Sequence, residues 1–200
     1  MSVLNMKFII GIDEVGRGPL AGPVAVGAVS VKSRAFDKKF WKGIKDSKKL
    51  SEKDRELWFK LATRARRRGE IDWAVSLISE KVIDKNGIVY AINLGIKRCL
   101  TKVSATEDSQ IFLDGGIKAP ERFKRQTTVV KGDEKIPVIS LASIVAKVTR
   151  DRAMLKCDKK YPGYGLAQHK GYGTKMHCQK IRKYGSTKLH RQTFIKRLTK

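Results

Sequence analysis

Asp13 and Glu14 stand side by side directly after the apolar run Phe8-Ile9-Ile10-Gly11-Ile12. They open a glycine- and proline-rich loop, Val15-Gly16-Arg17-Gly18-Pro19-Leu20-Ala21-Gly22-Pro23. Adjacent carboxylates repel one another, and partial burial adds a desolvation cost. A chain that keeps such a pair at the end of a strand either holds a divalent cation there or keeps one acid protonated for acid–base work. Two further acids, Asp114 and Asp133, each follow a short apolar or β-branched run and sit beside glycine. Taken singly, Asp next to Gly is ordinary turn chemistry. Several strands delivering acids to one sheet edge would instead form a hard oxygen-ligand set. Such a set suits Mg²⁺, and four carboxylates suit two ions that clamp the attacking and leaving oxygens of a phosphoryl displacement.

The elements that must position these acids follow from periodicity. Phe8–Ile12 and Val24–Val31 read as strands joined by a tight link, which favours antiparallel pairing. Ser51 reads as an N-cap, with Glu52 and Asp54 in the first turn of a helix that runs to Arg68 and stops at Gly69. Ile71–Ile78 is a third strand. Residues 79–103 are helical in period, broken near Asn86-Gly87. Ile111–Leu113 and Thr127–Val130 are short strands. A long helix, with Ser140 as its expected cap, reaches about Lys160 and turns Leu141, Ile144, Val145, Val148 and Leu155 inward. The fold class is therefore α/β, a mixed sheet flanked by helices, with a basic helical C-terminal extension. We expect one domain over residues 1–200, a core of about 1–160 with segment 161–200 packed on it.

Composition sharpens the choice of partner. The formal net charge is +25, and after Asp158 there is no acid while Lys159–Lys200 carries twelve Lys or Arg. That imbalance favours a polyanion, with affinity falling as salt rises through counterion release. Cys99, Cys157 and Cys178 are odd in number and widely spaced, as in a reduced cytoplasmic protein without a structural zinc. No apolar run approaches the length of a membrane span.

Longer motifs add a family resemblance. Residues Gly11–Pro23, Asp46-Ser47-Lys48-Lys49-Leu50-Ser51, Leu113-Asp114-Gly115, Val130-Lys131-Gly132-Asp133, Ala142–Asp151 and Gln168–Thr174 together resemble ribonuclease HII, the type 2 ribonuclease H family, over nearly the whole chain. The resemblance implies a ribonuclease H-like mixed sheet and a metal-dependent endoribonuclease. Such an enzyme cuts the RNA strand of RNA–DNA hybrids and incises 5′ to single ribonucleotides in duplex DNA, leaving 3′-hydroxyl and 5′-phosphate ends. It implies Asp13, Glu14, Asp114 and Asp133 as ligands of two Mg²⁺ or Mn²⁺ ions. Asp151, between Arg150 and Arg152, competes for the fourth place, but a helix-surface ion pair suits it better. Gly16, Arg17 and Gly18 resemble the loop that reads a 2′-hydroxyl through backbone groups, and Tyr172 the tyrosine that packs on the next sugar. Ser47, Lys48, Ser143 and Lys147 are further substrate contacts. His169, His177 and His190 fit structural or phosphate-contacting roles. Leu141 stands where the family commonly has alanine. A monomer is expected, without the extra N-terminal domain of type 3 enzymes.

Two other classes fit parts of this pattern. A non-catalytic nucleic-acid-binding protein would explain the charge but not acids at strand ends. A junction resolvase would share the metal chemistry but would not need a loop that reads the 2′-hydroxyl.

Overall fold

The computed structural model describes residues 8–32, 41, 43–44 and 50–198; Ser47 and Lys48 lie outside the described residues. Five strands form one mixed sheet: β1 (Phe8–Val15), β2 (Val24–Lys32), β3 (Ile71–Ile78), β4 (Gln110–Asp114) and β5 (Gln126–Val129), in the order β3-β2-β1-β4-β5. β1 pairs antiparallel with β2, and β2 with β3, whereas β4 lies parallel to both β1 and β5. This is the mixed α/β sheet expected from the strand pattern. β1 runs three residues beyond the apolar run, because Asp13, Glu14 and Val15 still pair with Gly27, Val26 and Ala25. The acidic pair is thus part of the ladder, held by backbone hydrogen bonds rather than by a loop.

Helices α1 (Glu52–Arg67), α2 (Glu80–Asn86) and α3 (Ile88–Lys102) follow the expected spans, and the break falls at Gly87. Ser51 caps α1 by accepting the Asp54 N–H. α2 and α3 cover one face of the sheet through Ile83, Ile92, Ile96 and Leu100, which meet Ile10, Ile12 and Val26. α5 (Pro137–Lys160), preceded by the single turn α4 (Gly132–Lys135), covers the other face together with α1. α5 starts at Pro137 rather than at a Ser140 cap, since proline at a first helical position lacks only an N–H that would be unsatisfied anyway. Every residue from Val138 to Ala146 is buried, as befits a helix sunk between layers. Further on the inner side is Arg150 and Met154, while Leu155 is 40% exposed. α6 (Leu166–His169), α7 (Lys175–Tyr184) and α8 (Gln192–Ile195) complete the chain, packing Leu166, Ile181, Leu189 and Ile195 around Met154 and Ala21.

One close approach fixes the site. Gly27 lies opposite Asp13 in the ladder, and a Cβ built on it would come within 2.3 Å of the Ala142 carbonyl oxygen. Only glycine lets α5 settle so near the sheet, and that contact brings Ser143 against Asp13. Among the described residues no helix is long and apolar enough to cross a membrane.

Candidate active site

Asp13, Glu14, Gly16, Arg17, Gly18, Asp114, Ser143, Lys147 and Tyr172 line one cleft of about 410 Å³, together with Val15 and Arg55. It opens beyond the ends of parallel β1 and β4, where ligands of open α/β sheets collect. Adjacent strand residues point to opposite faces, so Asp13 turns toward α5 while Glu14 turns away, and both reach the sheet's end. Asp13 is 4% exposed and accepts the Glu14 N–H at 2.7 Å. Burial pushes its carboxyl well above the usual range; a Ser143 hydrogen bond opposes the rise, and the neighbouring Glu14 and Asp114 add to it. Glu14 is also raised by burial, while Arg17, 3.2 Å away, pulls it down. Among the described residues its Oε2 is buried with no hydrogen-bond partner.

Asp114 ends β4, and its Oδ1 accepts the Gly132 N–H at 2.6 Å. That amide is turned toward it because Lys131 adopts a left-handed conformation, φ 54°, between β5 and α4. Asp133 follows in the single turn. It is fully buried and does not line the cleft, and its carbonyl accepts the Ser140 hydroxyl. Three of the four acids line the cleft, and the fourth, Asp133, is buried next in sequence to the Gly132 amide that donates to Asp114. Among the described residues no three His, Cys, Asp or Glu side chains form a ready cation cage. What is present fits a cation all the same: hard oxygen donors, two of them desolvated against one another, and one buried carboxylate oxygen left over. Such ions commonly take one or two carboxylates and complete their shell with water and substrate phosphate.

Lys147 lines the cleft while pairing with Asp151 at 2.9 Å, which makes Asp151 the partner in an i,i+4 ion pair on α5. Arg152 pairs with Glu56 instead. Tyr172 is 41% exposed, and the Arg150 guanidinium lies 5.7 Å from its ring centre. Its backbone is held by a chain of histidines. Thr187 N–H donates to His190 Nδ1, which leaves the proton on His190 Nε2. That group donates to His177 Nε2 at 3.2 Å, and His177 Nδ1–H donates to the Tyr172 carbonyl at 2.9 Å. His169 stacks on His177, 4.2 Å between ring centres. Each ring is neutral in one tautomer, so the histidines serve architecture.

The histidine chain predicts an acid limit. Burial lowers His177 to about 4, with His169 and His190 adding to the fall. The unfolded state therefore takes up protons first. The contribution of His177 to stability should be level above the unfolded value near 6.5, then drop as pH falls toward 4, by on the order of 3 kcal/mol. Urea unfolding at several pH values checks this, with His177→Gln expected to flatten the dependence; an equal slope in both proteins would contradict it.

Three arginines escaped the sequence reading. Arg55 enters the cleft from α1, and its only signal was a base early in a helix where acids are favoured. Arg150 and Arg191 are fully buried, although Arg150 sits beside Asp151 in a helix and Arg191 in an acid-free tail, settings that suggest surface.

Comparison with known proteins identifies the family and the fold. The family model described as Ribonuclease HII matches residues 10–198. The chain is 42% identical over 190 residues to a ribonuclease HII of Acetivibrio thermocellus, covering 95% of this chain and 70% of that protein. It is 42% identical over 187 residues to one from Coxiella burnetii, covering 93% and 87%. Among solved structures, the ribonuclease HII of Archaeoglobus fulgidus, determined in complex with PCNA, superposes with a TM-score of 0.72 at 26% identity, covering 96% and 97%. The chain belongs to the ribonuclease HII family: it has the ribonuclease H-like fold and is a ribonuclease H enzyme.

Proposed function

We propose that this member of the ribonuclease HII family cuts the RNA strand of RNA–DNA hybrids and incises 5′ to single ribonucleotides in duplex DNA, leaving 3′-hydroxyl and 5′-phosphate ends. The observation that carries this reading is one cleft in which Asp13, Glu14 and Asp114 face Gly16-Arg17-Gly18 and Tyr172. Asp13, Glu14, Asp114 and Asp133 are the residues that would hold two Mg²⁺ or Mn²⁺ ions. When bound, such ions supply a water of lowered pKa and neutralise charge on the departing 3′-oxygen.

The chain's own residues do the rest. Ser143 fixes the Asp13 carboxyl, and the Gly132 amide fixes that of Asp114. Arg17 pairs with Glu14 at 3.2 Å and offsets its charge. The backbone of Gly16-Arg17-Gly18 approaches the ribose closely enough to sense a 2′-hydroxyl, the group that separates RNA from DNA. Tyr172 offers a ring for the following sugar. Lys147 and Arg55 meet phosphates, which fix register without reading sequence. The protein acts as a monomeric, single-domain enzyme of the cytoplasm, in keeping with three unpaired cysteines.

The test is a labelled DNA duplex with one ribonucleotide, incubated with Mg²⁺ or with EDTA. Incision 5′ to the ribonucleotide should occur only with Mg²⁺, and should vanish when that residue is 2′-deoxy or 2′-O-methyl. Equal cutting of the all-deoxy duplex would exclude the reading.

A further inference from the structure

We infer that Arg191 is a positioning residue that turns the Arg17 and Gly18 amides outward, making the Gly16-Arg17-Gly18 loop a pre-set pair of donors. The inference rests on the proposed role of that loop and adds what holds it in shape. Arg191 is fully buried, yet all of its guanidinium nitrogens are spent on one segment. Nη2 donates to the Gly16 carbonyl at 2.7 Å, Nη1 to the Arg17 carbonyl at 2.8 Å and Nε to the Gly22 carbonyl at 2.9 Å. No peptide in the described chain is cis. In a trans peptide the carbonyl and the following N–H point in opposite directions. Drawing the Gly16 and Arg17 carbonyls inward therefore aims the Arg17 and Gly18 N–H groups away from Arg191, on the side where both residues line the cleft. Among the described residues neither N–H has a protein acceptor.

The anchor itself is rigid. Arg191 N–H donates to the Leu20 carbonyl and Gly22 N–H to the Leu189 carbonyl, while Ala21 bridges His190. From α5, Arg150 donates through Nε to the Pro23 carbonyl at 2.9 Å, and its side chain fills the space where a Cβ on Gly16 would go. Two buried guanidinium groups thus lie behind the loop. Burial and Arg150 bring Arg191 down to about 10, so it remains charged at neutral pH. A buried cation behind two outward amides makes them stronger partners for a 2′-oxygen or a phosphate oxygen.

Arg191→Lys keeps the charge but loses the planar fork, and Arg191→Gln loses both. On the single-ribonucleotide duplex, kcat should fall about tenfold for Arg191→Lys and about 100-fold for Arg191→Gln. KM should stay within about threefold, because phosphate contacts elsewhere hold the duplex. Hydrogen exchange in a peptide spanning 15–23 should quicken in both variants. Wild-type kcat and wild-type discrimination against 2′-deoxy in Arg191→Lys would overturn the inference, as would a rise in KM with unchanged kcat. If Arg191→Gln melts at assay temperature, Arg191→Lys decides alone. A wild-type enzyme that cuts an all-deoxy duplex sinks the reading of the loop. A discriminating wild type with an indifferent Arg191→Lys sinks only the role of Arg191.

Discussion

Asp13→Asn should bind duplex as tightly as the parent and cut it at least about 10³-fold more slowly. On the proposed metal-holding role, the magnitude follows from losing a charge where charge stabilisation supplies several kcal/mol of barrier lowering, each 1.36 kcal/mol being tenfold. Stability should move the other way. Asp13 is desolvated beside Glu14 and Asp114, and its carboxyl is raised by all three influences. Replacing it with a neutral isostere removes repulsion and keeps an oxygen for Ser143 and the Glu14 N–H. Without divalent cations, Tm should therefore hold or rise by a few degrees. Single-turnover cleavage and calorimetry on the same preparations check both halves. Cleavage within tenfold of the parent would remove Asp13 from the metal site.

Gly16→Ala should lose both stability and incision. Gly16 has φ 89°, a region costing an alanine about 1–2 kcal/mol. The added Cβ would also fall 2.1 Å from Arg150 Nε, a buried group that cannot step aside without releasing Pro23. Together these should cost about 3 kcal/mol or more and shift the loop, so that single-ribonucleotide kcat drops about 100-fold. Gly18 makes the internal control, since a Cβ there meets nothing within 4 Å. Gly18→Ala should keep the parent Tm, so any loss of incision there reports on the substrate's approach. A Gly16→Ala enzyme with parental Tm and kcat would show that the loop tolerates being moved.

Much of this architecture was legible in the residues. Apolar and β-branched runs named the strands, and Ser51 and Gly87 bounded helices, because burial and capping are written within each element. Asp13, Glu14 and Asp114 could be placed at strand ends for the same reason. Asp133 was read the same way, after the fifth strand, but its full burial was not legible: that depends on how α4 tucks against α5, which no local pattern encodes. Arg150 and Arg191 were illegible in a stronger sense. Their partners lie 127 and up to 175 residues away, and an arginine in so basic a chain carries no mark distinguishing a solvated side chain from a buried clamp. The histidines were read as structural or phosphate-contacting; their relay to Tyr172 depends on tautomers fixed by contacts across the fold.

The clamp from Arg191 onto residues 16–22 also orders events in time. Translation delivers the acids of β1 first and the guanidinium that steadies the neighbouring loop some 175 residues later. Domains begin folding while the chain is still emerging, but a growing polypeptide that lacks Arg191 lacks the guanidinium that holds the Gly16 and Arg17 carbonyls. The side-chain contacts that steady residues 16–22 therefore form only once this late residue has been added.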